Sequence, residues 1–249
     1  MVSINFMTND SSTTALFSSG CLICGADLVY AVQTREAHCA LCQRQFSVSA
    51  ACAQGHFVCD NCHGLQAFDW IERACLASHE TDPLRLAESL MRHPAVKMHG
   101  PEHHFLVAAA LLTSWSEVHD DPAKAEKLTL ARKRADDIKG GFCGSHGTCG
   151  AAMGAGVASS ILTGATPLSK EGWSLANLTT AACLTAIGAA GGPRCCKRDT
   201  YLALQTGRDF LNKYLGAEYP KGLQPVCSFS IGNRECITDK CPFFGQRPN

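Results

Sequence analysis

Hydrophobic and polar positions divide the chain into a short β-like beginning and a long helical remainder. Residues 28–32 read Leu-Val-Tyr-Ala-Val, which has the length and β-preference of a short strand. From about Phe68 the apolar positions take on helical spacing, and glycine or proline separates one predicted helix from the next. The pattern therefore predicts a mainly α protein, in which a small N-terminal β module precedes an all-α helical domain.

Capping residues and prolines predict where the individual helices begin. Asp82-Pro83 is one such start, and Pro101 suits the first turn of another helix. The Gly-Gly-Pro at residues 191–193 predicts a stop followed by a new helix start. The predicted helices cover residues 83–93, 101–115, 123–138, 168–188 and 195–214. A further helix is predicted from the run of small residues that starts near Gly150, and a cysteine-rich loop ends the chain.

Length and composition fit one large domain with a small one attached. The 249 residues include 22 basic and 22 acidic side chains, so the formal net charge of zero favours neither nucleic acid nor a membrane surface. We predict a flexible lead-in over residues 1–20, a zinc-binding module over residues 21–65 and an α-helical cysteine-rich domain over residues 66–249.

Sixteen cysteines are unusual for a chain of this length. A secreted disulfide framework requires a signal sequence, and residues 1–20 have neither a basic start nor an apolar segment. Clustered thiols in an intracellular protein indicate metal ligands or catalytic cysteines, so we expect a cytoplasmic protein. The uncharged stretches 141–169 and 172–193 are rich in Gly, Ala, Ser and Thr, which favours packed interior helices over membrane spans.

The N-terminal module contains eight candidate metal ligands, seven cysteines and one histidine. A Cys-x2-Cys knuckle places two thiolates on one ion, and two such units complete the tetrahedral set that zinc prefers. The simplest assignment makes two consecutive sites, Cys21/Cys24/Cys39/Cys42 and Cys52/His56/Cys59/Cys62. An interleaved cross-brace instead pairs Cys21/Cys24 with Cys52/His56 and Cys39/Cys42 with Cys59/Cys62. Both arrangements stay open, and each predicts a zinc-ribbon-like module that depends on its metal for folding.

Two cysteine groups lie at predicted helix starts in the helical domain. Cys143 and Cys149 belong to a glycine-rich loop that leads into the small-residue helix. Cys195 and Cys196 follow Arg194 in the first turn of the last helix. The helix N-terminus and neighbouring cations favour thiolate, so we expect a pKa below the usual value of about 8.5 for these adjacent thiols. One of the two is a candidate nucleophile or ligand, and the other is a packing or resolving thiol.

Histidines and three further cysteines complete the candidate site. His99 and His103 lie near the helix start at Pro101, and we assign them as acid–base candidates. The tail has the spacing Cys-x8-Cys-x4-Cys-Pro, and a cysteine followed by proline recurs in ferredoxin-type ligation. These tail cysteines are Cys227, Cys236 and Cys241. A small structural zinc site is the competing interpretation of the tail.

We hypothesise that the helix starts converge on one electropositive, sulfur-lined pocket. Cys143, Cys149 and either Cys195 or Cys196 would act there as cluster ligands or nucleophiles. Arg194 would help to bind an anionic substrate. An iron–sulfur cluster with its thiolates is anionic, so such a pocket would suit it.

Several short strings of the sequence resemble one cysteine-rich family. They are GHFVCDNCH at 55–63, MHGPEHH at 98–104, FCG at 142–144, CGAA at 149–152, GPRCCKR at 192–198 and CPFF at 241–244. The chain resembles family 5714 of the domains of unknown function, which occurs in bacteria and archaea, alone or attached to radical SAM or methyltransferase domains. The resemblance covers nearly all of the chain past residue 20. It implies relatedness rather than a reaction, and it makes a radical SAM or methyltransferase protein the expected partner.

Together these features predict a cytoplasmic metalloprotein. Its N-terminal module would bind zinc, and its helical domain would carry an iron–sulfur cluster or redox-active thiols. The expected function is that of an enzyme, or of a catalytic accessory, in sulfur or redox chemistry. Two alternatives use the same cysteines: a zinc-dependent protein that recruits nucleic acid or a partner enzyme with all metals structural, and a metal carrier or sensor.

Overall fold

A two-stranded antiparallel sheet lies at the N-terminal end of the described chain. The computed structural model describes residues 21, 26–40, 42–222 and 224–245 and, for residues 64–66, the backbone alone. Strand β1, Leu28–His38, pairs with strand β2, Gln45–Cys52, so that Leu28 lies opposite Cys52 and His38 opposite Gln45. β1 is exposed along nearly its whole length, so this sheet has little apolar core of its own.

Helices make up most of the remaining described chain. They are α1 Asp60–Ala77, α2 Pro83–Met91, α3 Glu102–Val118, α4 Lys124–Asp136, α5 Phe142–Ser145, α6 Gly150–Leu162, α7 Glu171–Ala189 and α8 Cys196–Leu215. Two short 3-10 turns, Ser230–Gly232 and Thr238–Lys240, lie in the tail. The predicted fold class, mainly α with a small N-terminal sheet, is confirmed.

The helix starts follow the capping residues in the sequence. The Asp82 side chain caps α2 by accepting a hydrogen bond of 2.9 Å from the backbone N–H of Leu84. α3 begins directly after Pro101. α1 begins at Asp60, earlier than the position near Phe68 that the hydrophobic pattern indicated, and it runs across residue 65, where we drew the edge of the module.

α3 is the central helix of the structure. Residues 105–112 are fully buried, and a helix that is apolar all round is typical of a protein core. α1, α2, α4, α6 and α8 all pack against α3. Cys75 and Cys183 are buried in this core among its apolar side chains.

The small residues of α6 allow its neighbours to approach closely. A methyl group at Gly154 would overlap the backbone carbonyl oxygen of His104 in α3 and would lie 3.3 Å from Cβ of Val107. On another side, a methyl group at Gly156 would meet the side chain of Thr180 in α7. α6 therefore packs against α3 and α7 almost backbone to backbone. Among the described residues, no helix is both long and apolar enough to cross a membrane.

Candidate metal and thiol sites

Four cysteines of the N-terminal module form a compact cluster, here called the four-cysteine group: Cys39, Cys42, Cys59 and Cys62. Their sulfur atoms all lie within 4.8 Å of one another, and Sγ of Cys42 lies 3.7 Å from Sγ of Cys59. Cys39 opens the tight turn between the strands, where its N–H donates to the carbonyl of Arg44 at 2.9 Å. Cys59 caps α1 and Cys62 lies in its first turn, so a helix N-terminus faces the group.

The electrostatics of the four-cysteine group suit a metal ion. Hydrogen bonds from the backbone and side chain of Arg44 lower the pKa of Cys42 to about 6. Burial raises the pKa of Cys62 to about 12 and raises that of Cys59. Because a metal ligand must be deprotonated, an ion at this group would displace the protons that burial retains. These four cysteines could therefore bind a metal ion.

A second cluster, the three-ligand group, contains Cys21, Cys52 and His56. One ligand atom from each lies within 4.8 Å of the other two. Sγ of Cys52 lies 3.4 Å from Nδ1 of His56 and accepts a hydrogen bond of 3.2 Å from the backbone N–H of His56. Gly55 closes this turn at a φ of 87°, a backbone conformation that glycine adopts without steric cost. The predicted fourth ligand, Cys24, lies outside the described residues.

The two groups match the interleaved cross-brace rather than two consecutive sites. Cys39 and Cys42 lie with Cys59 and Cys62, while Cys21 lies with Cys52 and His56. The simplest sequence-based pairing is wrong because β1 and β2 form a hairpin. Their pairing places Leu28, close after the first knuckle, opposite Cys52, and it places the second knuckle at the turn end.

A separate pocket, here called the thiol pocket, lies in the helical part and has about 460 Å³ of empty space. Its three cysteines come from three elements: Cys143 from α5, Cys149 from the N-cap of α6 and Cys196 from the first residue of α8. Arg194 and Asp199 also line it. The remaining lining residues include His103, His104 and the glycines Gly100, Gly140, Gly141 and Gly150.

Burial controls the protonation of the thiols around α8. Burial, reinforced by the carboxylate of Asp199, raises the pKa of Cys149 to about 12. The same two causes raise the pKa of Cys196 well above its usual range, against the opposing charge of Arg194. Burial also raises the pKa of Cys195 to about 11. The expectation of a lowered pKa for Cys195 and Cys196 is wrong, because lost hydration outweighs the helix N-terminus and the neighbouring cations.

The histidines near α3 are held neutral. Burial, followed by the charge of Lys197, lowers the pKa of His103 to about 3. Nδ1 of His103 lies 3.2 Å from the carbonyl oxygen of Gly100, while its buried Nε2 has no hydrogen-bond partner among the described residues. His99 does not line the thiol pocket: its Nε2 lies 3.1 Å from Oε2 of Glu235, and burial lowers its pKa. Of the two acid–base candidates, only His103 lies at this pocket.

The remaining cysteines lie in a different recess, here called the tail recess. Its sulfur-bearing residues are Cys195, Cys227, Cys236 and Cys241. The structure therefore divides the single pocket that we hypothesised into two. Cys143, Cys149 and Cys196 share one pocket with Arg194, whereas Cys195 lies with the three tail cysteines.

Three residues that contact the candidate site residues were not assigned from the sequence. Oδ2 of Asp199 lies 4.0 Å from Sγ of Cys149, and the amide of Asn233 donates to Sγ of Cys195 at 3.3 Å. The ring of Tyr30 in β1 lies 5.5 Å from the guanidinium of Arg194. Asp199 could have been found, because it lies three positions after Cys196 on the same helix face. The other two contacts join distant parts of the chain and leave no local signal.

The fold and these sites define a mainly helical protein with an N-terminal two-stranded sheet and cysteine clusters that could bind metal. The chain belongs to the family of unknown function DUF5714, which matches residues 71–244. No curated protein and no solved structure matches the chain. The resemblance found in the sequence is thus confirmed over the matched residues. The association with radical SAM or methyltransferase domains stays a prediction.

Proposed function

We propose that this protein is a zinc-stabilised enzyme, or catalytic accessory, of sulfur or redox chemistry, and that the thiol pocket is its reaction site. The observation that carries the proposal is the meeting of Cys143, Cys149 and Cys196, from three separate elements, beside Arg194. Three thiols and a cation in one pocket can exchange sulfur bonds with an anionic substrate.

Zinc is the metal that best fits the N-terminal module. Tetrahedral zinc with Zn–S bonds of about 2.3 Å holds its sulfurs about 3.8 Å apart. The distance of 3.7 Å between Sγ of Cys42 and Sγ of Cys59 agrees with this value. The exposure of β1 provides a physical reason for the metal, because a sheet with little apolar core needs another source of stability.

The three pocket thiols differ in how a substrate reaches them. Cys143 is exposed, whereas Cys149 and Cys196 are partly covered. Cys143 is therefore the thiol that we assign to the first attack on a substrate disulfide. Its sulfur forms a new S–S bond to one substrate sulfur, the substrate S–S bond breaks, and the leaving sulfur takes up the proton that Cys143 released. Cys149 then attacks the sulfur of Cys143, the mixed disulfide bond breaks, and the second substrate sulfur leaves with the proton that Cys149 released. A protein disulfide and two substrate thiols result, so the substrate gains the two electrons that the protein loses.

Two disulfide probes of different charge test this assignment. Fully reduced protein is mixed anaerobically with oxidised glutathione, which is anionic, or with neutral 2-hydroxyethyl disulfide, and peptide mass spectrometry follows each cysteine. We expect Cys143 to react first, and the Cys149→Ser variant to accumulate the mixed disulfide at Cys143. Arg194→Gln should slow the reaction with oxidised glutathione and leave the neutral probe unaffected. Equal effects of Arg194→Gln on both probes, or no bond between Cys143 and Cys149, would refute the proposal.

A further inference from the structure

We infer that the tail recess is a binding site for a [4Fe–4S] cluster, with Cys195, Cys227, Cys236 and Cys241 as its ligands. All four cysteines line the same recess. A four-cysteine set is the ligand set of such clusters. The inference concerns residues outside the thiol pocket, so it stands independently of the reaction proposed there.

The backbone of the tail holds the four cysteines around one recess. The N–H of Cys227 donates to the carbonyl of Phe243 at 2.7 Å, which ties the first tail cysteine to the segment after the last. The N–H of Cys236 donates to Asn233 at 3.2 Å, and that of Cys241 to Thr238 at 2.8 Å. Each therefore closes a short turn. The fourth cysteine, Cys195, comes from outside the tail as the N-cap of α8.

The four thiols of the tail recess do not form a compact single-ion group. In the described part of the chain, the groups whose ligand atoms lie within 4.8 Å of one another are the four-cysteine group and the three-ligand group of the module. The tail cysteines, all of them described, do not belong to either. A [4Fe–4S] cluster binds each thiolate through a different iron, so its ligands stand farther apart than the sulfurs around one zinc ion. The tail has neither the Cys-x2-Cys knuckle of common zinc sites nor the Cys-x2-Cys-x2-Cys run of bacterial ferredoxins, so its spacing does not decide between the two.

Hydrogen-bond donors already point at the sulfurs of this recess. Sγ of Cys195 accepts from the side-chain amide of Asn233 at 3.3 Å and from the backbone N–H of Arg198 at 3.5 Å. Sγ of Cys227 accepts from the backbone N–H of Phe229 at 3.4 Å. Hydrogen bonds to cluster sulfurs and the exposure of the cluster are the means by which a protein sets its potential.

The surroundings of the recess combine apolar walls with buried positive charge. Phe229 and Phe243 are buried against it, and Tyr201 packs 5.2 Å from Phe243 between ring centres. Nζ of the buried Lys197 lies 4.7 Å above the ring of Phe229. Arg198 also lines the recess and is 3% exposed. A cluster with four thiolates is anionic, and the cation that lines the recess beside it is Arg198, whose Nε also pairs with Oδ1 of Asp199 at 3.2 Å.

The full-length chain, reconstituted anaerobically with ferrous iron and sulfide, tests the inference. We expect about four iron and four acid-labile sulfide per chain, and a visible absorbance that bleaches with dithionite. Cys236→Ala and Cys241→Ala should lose most of this iron and sulfide. Cys183→Ala, which removes a buried thiol of the core, is the matched control and should keep both, as should the thiol-pocket variant Cys149→Ser.

Each possible result decides the assignment. Circular dichroism identifies any variant that has lost its helices, and Cys236→Ser, at a partly exposed position, then replaces a variant that fails to fold. Colourless wild-type protein, or zinc in place of iron and sulfide, would overturn the inference. Loss of iron in Cys149→Ser with retention of iron in Cys236→Ala would also overturn the inference, because the cluster would then lie in the thiol pocket. The disulfide probes continue to report on Cys143 in Cys236→Ala, so failure of one proposal is distinguishable from failure of the other.

Discussion

The cross-brace and the arrangement with two consecutive sites predict different zinc binding in two double variants. Cys39→Ser with Cys59→Ser removes two ligands from the four-cysteine group and leaves the three-ligand group intact. Cys52→Ser with Cys59→Ser removes one ligand from each group. In two consecutive sites the relation is reversed, because Cys52 and Cys59 would share an ion and Cys39 would bind the other.

The size of the effect follows from the free energy of zinc binding. Structural zinc contributes about 10–16 kcal/mol in small fingers, which exceeds the about 8.2 kcal/mol that corresponds to a micromolar dissociation constant. A site that keeps two of four ligands retains on the order of half of this energy, so it is empty at micromolar zinc. The undisturbed site stays full. The cross-brace therefore predicts that one site in the Cys39/Cys59 variant binds zinc with the affinity of the wild type. In the Cys52/Cys59 variant each site has lost one ligand, so neither site has that affinity.

Competition against a chromophoric zinc chelator measures the tight sites in each protein. Cys75→Ser is the matched control, because Cys75 lies in the same helix as Cys62 but is buried in the core away from both groups. It should keep the zinc content of the wild type. One tight site in the Cys52/Cys59 variant, with none in the Cys39/Cys59 variant, would refute the cross-brace.

Two further predictions concern the stability of the helical part. Gly154→Ala should lower the free energy of unfolding by about 1–3 kcal/mol through overlap with the carbonyl of His104. Its control is Gly188→Ala in α7, where a methyl group meets no atom within 4 Å, and this change should be neutral or stabilising by up to about 1 kcal/mol. Urea unfolding measures the free energy of unfolding of both variants. Equal effects of the two substitutions would contradict the close packing of α6. Hydrogen bonds from Lys124 and His79 lower the pKa of Glu117 in the folded protein. The stability that Glu117 contributes is therefore present above its pKa in the unfolded chain, about 4.3, and is lost as the pH falls through its pKa in the folded protein. Glu117→Gln should therefore cost roughly 0.2–1 kcal/mol at pH 7 and less in acid, and a cost that stays constant down to about pH 3 would exclude this ion pair as its cause.

Local signals in the sequence were sufficient for most helix starts. Asp82 and Pro101 act within one turn of the backbone, so the cap and the proline are readable without knowledge of the fold. β2 was not predicted, because its residues form a strand only through pairing with β1. The choice between consecutive sites and a cross-brace depends on the same pairing. This explains why eight candidate ligands could be named from the sequence, whereas their grouping could not be decided.

The candidate pocket was harder to predict, because it depends on burial. Neighbouring residues on a helix point about 100° apart, so Cys195 and Cys196 could have been assigned to different sites from geometry alone. The direction of their pKa shifts could not have been predicted from the sequence. The helix N-terminus and Arg194 are visible in the sequence, but the loss of hydration that dominates arises from the packing of α8 against the rest of the chain.

The thiol pocket and the tail recess meet at the start of α8. Cys195 lines the tail recess and Cys196 lines the thiol pocket, so one peptide bond joins the two. Arg194 lines the thiol pocket and lies against Tyr30, which extends the contact to the N-terminal sheet. A second link between sheet and tail is the ion pair of Asp27 with Arg234 at 2.5 Å. A cluster in the tail recess would thus lie one residue along the backbone from a thiol of the thiol pocket.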